Sequence, residues 1–440
     1  MNHAVEKVNQ WIDKNSKELS LFLCELIRIK SDNPWFSDYK DKPAESEVQN
    51  RIMDFLSPLG FESEIWEPDW QSLSKYEGRP GYFKGRDFKN RAVLFSELKG
   101  QGHGKSILLT GHVDVVPAGD NWKHDPYEPA IEGGKIYGRG AVDMKGGIAS
   151  MLMAVKAIVA SGITLKGDIK VGTVPDEEAG GMGSLAFVDR GYTADGGFMT
   201  EPTDLKIAPL CRGILWGKVK IKGRSALLEV KQKDWRNGGG VDAIEYARII
   251  LNAISDLNKE WRDTASKNHK YIPSPCQVIV SQINAGTYPT TFADACEIVF
   301  DLQYLPSERD EYNLGGKVKQ EFEQFISNIA LNHSWLVANP PEVEWLLDAD
   351  CAEIPVDGDF CTTVAISAKE VGLNPIIEGC QSHTDMGWFV NSGTPMINFG
   401  AGDPMLSHQD DEFVELEDLL KATKIIATTI INWCGVANAE

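Results

Sequence analysis

The sequence lacks a long hydrophobic run. A membrane-spanning helix needs about 18 consecutive apolar residues, and no stretch of the sequence is that long. We therefore expect no membrane partner. The N-terminal stretch MNHAVEKVNQWIDKNSKELSLFLCELIRIKS has the pattern of a charged amphipathic helix and lacks the apolar block of a signal peptide. From these two absences we expect a cytoplasmic protein.

Paired cysteines and an excess of positive charge are also missing. The 8 cysteines are scattered, without a Cys-x-x-Cys pair, among 440 residues. This pattern is typical of free thiols in a reducing compartment and argues against a disulfide scaffold. Lysine and arginine total 44 against 64 aspartate and glutamate, for a net charge of -20. Such a balance argues against nucleic acid or an anionic membrane as a partner, because both repel an acidic protein.

The order of apolar segments predicts an α/β fold with an insertion. A chain of this length is too long for one small core. Strands alternate with helices in segments such as KSILLTGHVDVV and ASMLMAVKAIVASG, which is typical of an α/β sheet with helices on both faces. Near residue 209 the order becomes β-α-β-β-α, which predicts a two-layer α+β domain. We therefore predict a catalytic domain split into residues 1–208 and 333–440, with an inserted domain at 209–332.

Acids and histidines follow several of the predicted strands. Ligands of open α/β sheets bind beyond the carboxyl ends of the strands. Oxygen and imidazole donors without cysteine suit zinc, with cobalt and manganese as alternatives. Each residue alone could be a helix cap, a loop acid or a surface histidine, but their coincidence favours a metal site. The residues are His112, Asp114, Asp143, Asp176, Glu177, Glu178, Glu201 and His408.

Two of these acids are neighbours in the segment DEEAGG. Glu177 and Glu178 would repel each other if both were ionised without a cation nearby. Two cations about 3.5–4 Å apart can share a bridging carboxylate. With cations present, one of the two glutamates can act as a ligand and the other can accept a proton from water.

Several segments together resemble one enzyme family. They are LLTGHVDVVPAG, GGKIYGRGAVDMKGG, DEEAGG, EPTD and SHQDDEF. They resemble the metallo-aminoacylase, acetylornithine deacetylase, succinyl-diaminopimelate desuccinylase and carboxypeptidase G family of two-zinc amidohydrolases, over nearly the whole chain. The resemblance implies a zinc-peptidase-like catalytic domain, an inserted lid domain that forms a homodimer, and a small-molecule amide substrate. The implied reaction removes an acetyl, formyl or similar acyl group from an N-acyl amine or amino-acid-like molecule.

The resemblance also implies a role for each site residue. One zinc would be held by His112, Asp143 and Glu201. The other would be held by Asp143, Glu178 and His408, with Asp143 as the bridge. Asp114 would accept a hydrogen bond from His112 and raise its basicity. Glu177 would be the general base, taking a proton from water and later giving it to the leaving amine.

One position departs from the family in the lid. Where the family has a histidine that donates to the oxyanion, this chain has Leu227, which cannot donate. Losing one such donor costs about 10²–10³ in turnover. His383 is the better replacement and His269 a distant one, with a plain loop histidine as the alternative reading of His383. The chain could be a natural subfamily, a disabled engineered form, or a binding protein that has lost catalysis. The intact metal set and Glu177 favour the first two.

Further departures concern the substrate. Thr290 and Gln303 stand where relatives that bind a free carboxylate often have asparagine and arginine, and glutamine cannot supply the charge. This admits a neutral N-formyl or N-acyl heterocyclic or aromatic amine as the substrate. Arg212 could contact an anion or be a solvated surface charge, and the same holds for Arg224 and Lys222. The backbone at Gly400 could donate to the substrate or form only a turn. A dipeptidase of the same fold is the alternative enzyme.

Overall fold

The computed structural model describes residues 3–36 and 43–437. Residues 1 and 2 of the predicted N-terminal helix therefore lie outside the described residues. By their contacts the described residues form two compact units. The first contains the described residues up to 211, together with 352–380 and those from 384 onward, and the second contains 212–351 and 381–383.

Both units contain helices and strands. The strands are β1 (Glu62–Trp66), β2 (Val93–Leu98), β3 (Ile107–His112), β4 (Ala130–Glu132), β5 (Lys135–Tyr137), β6 (Ile169–Val174), β7 (Gly196–Met199), β8 (Gly213–Lys222), β9 (Val278–Ala285), β10 (Ala295–Tyr304), β11 (Glu342–Ala349), β12 (Met396–Asn398) and β13 (Phe413–Glu415). The helices are α1 (His3–Lys14), α2 (Ser16–Arg28), α3 (Glu45–Leu56), α4 (Lys145–Ala160), α5 (Met182–Asp189), α6 (Ala243–Asp263), α7 (Gly316–Ala330), α8 (Ser334–Ala338), α9 (Asp359–Glu370), α10 (Met386–Asn391) and α11 (Leu416–Cys434).

The first unit is built on a six-stranded sheet in the order β1-β2-β6-β3-β7-β12. The neighbours from β6 to β12 are parallel, whereas β1 and β2 are antiparallel. Every residue of β3 is buried, as its continuous apolar run predicts for a strand covered on both faces. Helices α4 and α11 pack against each other and against β3. A Cβ at Gly147 would lie 1.9 Å from the carbonyl oxygen of Thr200, so glycine allows α4 to approach the end of β7.

The second unit is a two-layer α+β structure. Its antiparallel sheet has the order β11-β8-β10-β9. Helix α6 packs on this sheet, and Phe322 of α7 contacts Phe300 of β10 with ring centroids 4.6 Å apart. The predicted insert ended at residue 332, but the unit extends to 351 because β11 pairs with β8. It also begins at residue 212 rather than 209 and includes 381–383.

Neither unit contains a disulfide among the described residues, because all 8 cysteines there are free thiols. Within the same residues, each helix is too short or too polar to cross a membrane.

Candidate metal centre and active site

The five predicted metal ligands come from different loops of the first unit. His112 is the last residue of β3, Glu178 follows β6, and Glu201 follows β7. Because β3, β6 and β7 are parallel neighbours, their carboxyl ends meet at one edge of the sheet. Asp143 precedes α4 and His408 precedes β13, and their loops reach the same edge.

Two groups of side chains share Asp143. In the first group, His112 Nε2 lies 3.0 Å from Asp143 Oδ1 and 3.8 Å from Glu201 Oε1. In the second, His408 Nε2 lies 3.5 Å from Asp143 Oδ2 and 3.2 Å from Glu178 Oε2. Within each group the ligand atoms lie within 4.8 Å of one another. Asp143 thus presents one carboxylate oxygen to each group, which is the arrangement that a bridging ligand requires.

The donor set fits divalent metal ions. Glu178 Oε1 and Glu201 Oε1 are buried and have no hydrogen-bond partner within residues 3–36 and 43–437. A buried carboxylate oxygen without a partner is costly unless it binds a cation. Two imidazoles and three carboxylates are also the donors that zinc takes in open, reactive sites. The orphaned oxygens are therefore the atoms that metal ions would satisfy.

The acids of the site are held in an unfavourable electrostatic environment. Burial raises the pKa of Glu201 to about 8, and the charges of Asp143 and Glu178 add to this against the attraction of His112. Burial likewise raises the pKa of Glu177 well above its usual value, with Asp385 and Glu201 adding to the increase. Crowded carboxylates with raised pKa values are typical of functional sites and are relieved by cations.

The same negative charges also raise the pKa values of the two histidines, because they stabilise the protonated rings. Burial alone would lower the pKa of His112, but the hydrogen bond with Asp143 and the nearby glutamates raise it well above its usual value. Burial also works against His408, yet its hydrogen bond with Glu178 and the charge of Asp143 raise the pKa to about 9. Negative charge therefore surrounds both rings, and the same charge would stabilise a cation bound beside them.

Asp114 acts through different atoms than the sequence predicted. The Nδ1 atom of His112 donates to the backbone oxygen of Asp114 at 2.8 Å, whereas the Asp114 carboxylate is 3.7 Å away. A carbonyl oxygen only accepts, so Nδ1 carries the proton and Nε2 faces Asp143. The carboxylate instead accepts from Asn33 Nδ2 at 2.8 Å and from the backbone N–H groups of Glu177 and Glu178 at 3.2 Å each. It therefore fixes the two glutamates, while its carbonyl fixes the histidine.

A buried cluster of two arginines holds the turn before the glutamates, and sequence reasoning missed it. Arg86 donates to Asp176 Oδ2 at 2.6 Å, and Arg91 donates to Asp176 Oδ1 at 2.8 Å. Arg86 also donates to the backbone oxygen of Ala179, and Arg91 to Glu45, so the turn is held on both sides. In the sequence, the position of Asp176 next to Glu177 was the signal that could have revealed this cluster. The two arginines give no signal, because they lie in a loop without a hydrophobic period.

A second missed residue, Glu412, holds the bridging aspartate. Its Oε1 accepts from the backbone N–H of Val142 at 2.8 Å and of Asp143 at 3.1 Å. Arg139 donates to the other oxygen of Glu412, and both side chains are buried. The signal was present, because Glu412 lies four residues after His408 in SHQDDEF.

The N–H of Gly400 has a partner within the first unit. That N–H donates to Thr203 Oγ1 at 3.2 Å. A Cβ at Gly400 would lie 2.5 Å from the backbone oxygen of Glu201. Close packing against the segment that carries Glu201 explains the glycine, and a contact between Gly400 and the substrate stays a prediction.

The remaining predicted substrate residues belong to the second unit. Leu227 is 45% exposed, and the N–H of Leu228 beside it donates to the backbone oxygen of Thr290. Gln303 accepts a hydrogen bond from Arg212 at 2.9 Å. His383 Nδ1 lies 3.0 Å from the backbone oxygen of Asp350. Arg212 thus proves to be a buried residue that contacts Gln303, not a solvated surface charge.

The fold and the paired ligand groups define a metal-dependent hydrolase. The chain belongs to Peptidase family M20/M25/M40, whose model matches residues 108–432. The predicted family resemblance, the α/β fold class and the assignment as a metal-dependent amidohydrolase are confirmed.

Two relatives cover nearly the whole chain. The N-formyl-4-amino-5-aminomethyl-2-methylpyrimidine deformylase of Bacillus subtilis is 29% identical over 99% of this chain and 99% of its own length. A probable succinyl-diaminopimelate desuccinylase of Staphylococcus aureus is 23% identical over 95% of this chain and 98% of its own length. Both names describe the removal of an acyl group.

Solved structures share the fold at low sequence identity. A di-peptidase from Saccharomyces cerevisiae has a TM-score of 0.75 at 15% identity and covers 99% of each chain. A metallo-carboxypeptidase of the M20 family from Sulfolobus solfataricus has a TM-score of 0.69 at 19% identity, covering 94% of this chain and 99% of its own. At these identities the likeness shows the fold.

Proposed function

We propose that this protein hydrolyses the amide bond of a neutral N-acyl amine, releasing a formyl, acetyl or similar group, at a site that holds two zinc ions per chain. Cobalt and manganese are the alternative ions. The observation that carries the proposal is the Asp143 carboxylate, which offers one oxygen to each ligand group. The proposed ligands are His112, Asp143, Glu178, Glu201 and His408.

The proposed general base is Glu177. When bound, the metal ions would polarise the amide carbonyl and lower the pKa of the attacking water. Glu177 is held at its backbone N–H by Asp114, next to the ligand Glu178. Burial and neighbouring carboxylates raise its pKa, so it can accept a proton from water and return it to the nitrogen of the leaving amine. Asp114 is a positioning residue, because it fixes both His112 and the glutamates.

The proposed substrate follows from the charges that the predicted substrate residues of the second unit lack. Leu227, Thr290 and Gln303 provide no charge for a substrate carboxylate. The Bacillus subtilis relative is named for an N-formyl aminopyrimidine, whose amine half is a neutral heteroaromatic ring. We therefore favour a neutral N-formyl heteroaromatic amine over a dipeptide. His383 is the proposed oxyanion donor.

The test is amine release from N-formyl, N-acetyl, N-succinyl and dipeptide substrates by the unmodified chain and by Leu227→His. We expect the unmodified chain to prefer an N-formyl amide and to lose activity with a chelator. The added histidine should raise turnover by up to about 10²–10³ if His383 substitutes poorly for it. Dipeptide preference would support the dipeptidase alternative. Bound zinc without release from any substrate by either protein would support a binding protein.

We further propose a homodimer formed through the second unit, which would act as the lid. Strand β9 is at the edge of its sheet, and its Ile279 and Ile283 are 45% and 52% exposed. An exposed apolar edge strand invites pairing with a second copy. Light scattering should give twice the monomer mass for the unmodified chain and the monomer mass for Ile283→Lys, with Ile131→Lys as the matched exposed control. A monomeric unmodified chain would contradict the dimer. We also propose a cytoplasmic location, from the free thiols.

A further inference from the structure

In the first unit, the segment after α2 runs beside the turn that carries the two glutamates. Asn33 is buried there, and its Nδ2 donates to Asp114 Oδ2 at 2.8 Å and to Asp176 Oδ1 at 3.4 Å. The carboxylate of Asp114 also accepts from the N–H groups of Glu177 and Glu178. One side chain, that of Asp114, therefore separates Asn33 from the proposed general base.

Two aromatic side chains follow Asn33 closely and are exposed. Trp35 is 59% exposed and Phe36 is 43% exposed. The N–H of Trp35 donates to Asn33 Oδ1 at 3.0 Å, and the N–H of Phe36 donates to the backbone oxygen of Asn33 at 3.1 Å. Asn33 thus fixes the backbone of this pair as well as the carboxylate of Asp114. Apolar side chains that are exposed beside a functional site are a common mark of a surface that binds a ligand.

The indole of Trp35 rests on an arginine that holds the same turn. The Cζ atom of Arg86 lies 4.5 Å from the ring centroid of Trp35 and 3.6 Å from that of Phe83. The same guanidinium donates to Asp176 Oδ2 at 2.6 Å. A single side chain therefore separates the indole from the residue before Glu177. Shielding Arg86 uses one face of the indole, and the exposed fraction of Trp35 leaves the rest of the ring open to a ligand.

We propose that Trp35 is a specificity-determining residue for the amine half of the substrate, whose flat ring stacks on the open face of the indole. This inference rests on the proposed function, and it adds a contact from the unit that contains the proposed metal ligands. Stacking recognises a flat aromatic surface without a charge, which suits a neutral heteroaromatic amine. The indole is held in place before a ligand arrives, by Asn33 at its backbone and by Arg86 at its ring, so little conformational freedom is lost on binding.

The test compares two amines that differ only in whether the ring is aromatic and flat, benzylamine and cyclohexylmethylamine. Calorimetry on the zinc-loaded protein should show about fivefold tighter binding of benzylamine, since an aromatic pair contributes a factor of about that size beyond the area it buries. Trp35→Leu keeps an apolar side chain but removes the flat surface, and should abolish the preference. Trp35→Phe should keep most of it. The matched control is Tyr312→Leu, at an aromatic residue of the second unit that is 70% exposed, and it should keep the preference.

Turnover of the two N-formyl amides separates stacking from a structural role of Trp35. If the indole only shielded Arg86, its replacement would lower kcat/KM for both amides alike. We expect Trp35→Leu to raise KM for N-formylbenzylamine about fivefold and to leave kcat/KM for N-formylcyclohexylmethylamine within about twofold, because the metal ligands are untouched.

Three results overturn the inference: equal affinity of the unmodified protein for both amines, a preference kept in Trp35→Leu, or an equal loss of kcat/KM for both amides in that variant. A preference that is also lost in Tyr312→Leu overturns it as well. If the unmodified protein hydrolyses neither N-formyl amide, the proposed function fails, while the calorimetry still decides the role of Trp35.

Discussion

Asp176 has a backbone φ of +73°, which is uncommon for a residue with a side chain. Aspartate tolerates this conformation better than most residues, and the cost is offset here by Arg86 and Arg91. The conformation turns the chain so that the next two N–H groups reach Asp114. One strained residue thus places both the proposed base and a proposed metal ligand.

We expect Arg86→Met to loosen this turn. It removes the donor to Asp176 Oδ2 and to the oxygen of Ala179 from a buried position. Losing a residue that orients metal ligands typically costs 10–100-fold, so zinc affinity and kcat/KM should each fall by about that factor. Competition with a chelator measures the affinity, and Arg86→Lys should recover part of it. Arg79→Met, in an exposed loop, is the control. Unchanged zinc affinity in Arg86→Met would show that the turn is held without this arginine.

Individual residues differed in how well the sequence predicted them. Five residues could be singled out because each is an acid or histidine that follows a predicted strand, beside a recognisable segment; they are His112, Asp143, Glu178, Glu201 and His408. The atom by which Asp114 holds the histidine could not be predicted. Carbonyl and carboxylate both lie within reach of a ring two residues away, and only the backbone conformation decides between them.

At the scale of elements, α3 is tied to the central sheet by one buried glutamine. Gln49 Nε2 donates to the backbone oxygens of Ala92 at 3.0 Å and Thr173 at 2.8 Å. The first precedes β2 and the second lies in β6. The Thr173 hydroxyl donates back to the Gln49 oxygen. This side chain therefore joins a helix to two strands.

We expect Gln49→Met to destabilise the fold without touching the site. The change leaves two buried carbonyl oxygens without their side-chain donor, which costs about 1–3 kcal/mol in the free energy of unfolding. Urea unfolding measures the loss, and Gln71→Met at an exposed position should change it little. A Gln49→Met protein as stable as the unmodified chain would mean that α3 is held by its apolar contacts alone.

Helices and strands with a strong hydrophobic period could be predicted from the sequence. Strands defined by pairing with a segment distant in the sequence could not. The apolar run of β3 and the amphipathic pattern of α6 are local properties of the sequence. Strand β11 has the alternating segment EVEWLLDA, but alternation does not reveal which sheet a strand joins. Its pairing with β8 spans more than a hundred residues, which is why the predicted insert ended too early.

At the scale of the whole molecule, the central claim is that two metal ions and Glu177 perform the hydrolysis. The chain has a net charge of -20, and burial among other carboxylates raises the pKa values of Glu177 and Glu201. Bound cations would stabilise the ionised forms of these two carboxylates. We propose that residues of the second unit select the acyl group and the amine, because the sequence predicts that Leu227 and Gln303 depart from the family there. The chemistry was therefore more predictable than the substrate.

The most direct measurement is a zinc titration of the metal-free protein with an N-formyl amide as substrate, run beside Glu177→Gln. We predict that the rate rises to a plateau at two zinc ions per chain. Glu177→Gln should bind the same two ions, with a rate lower by about 10²–10⁴, because the proton transfer is lost while the ligands remain. Full activity in the metal-free protein, or a Glu177→Gln variant that is as active as the unmodified chain, would contradict the account.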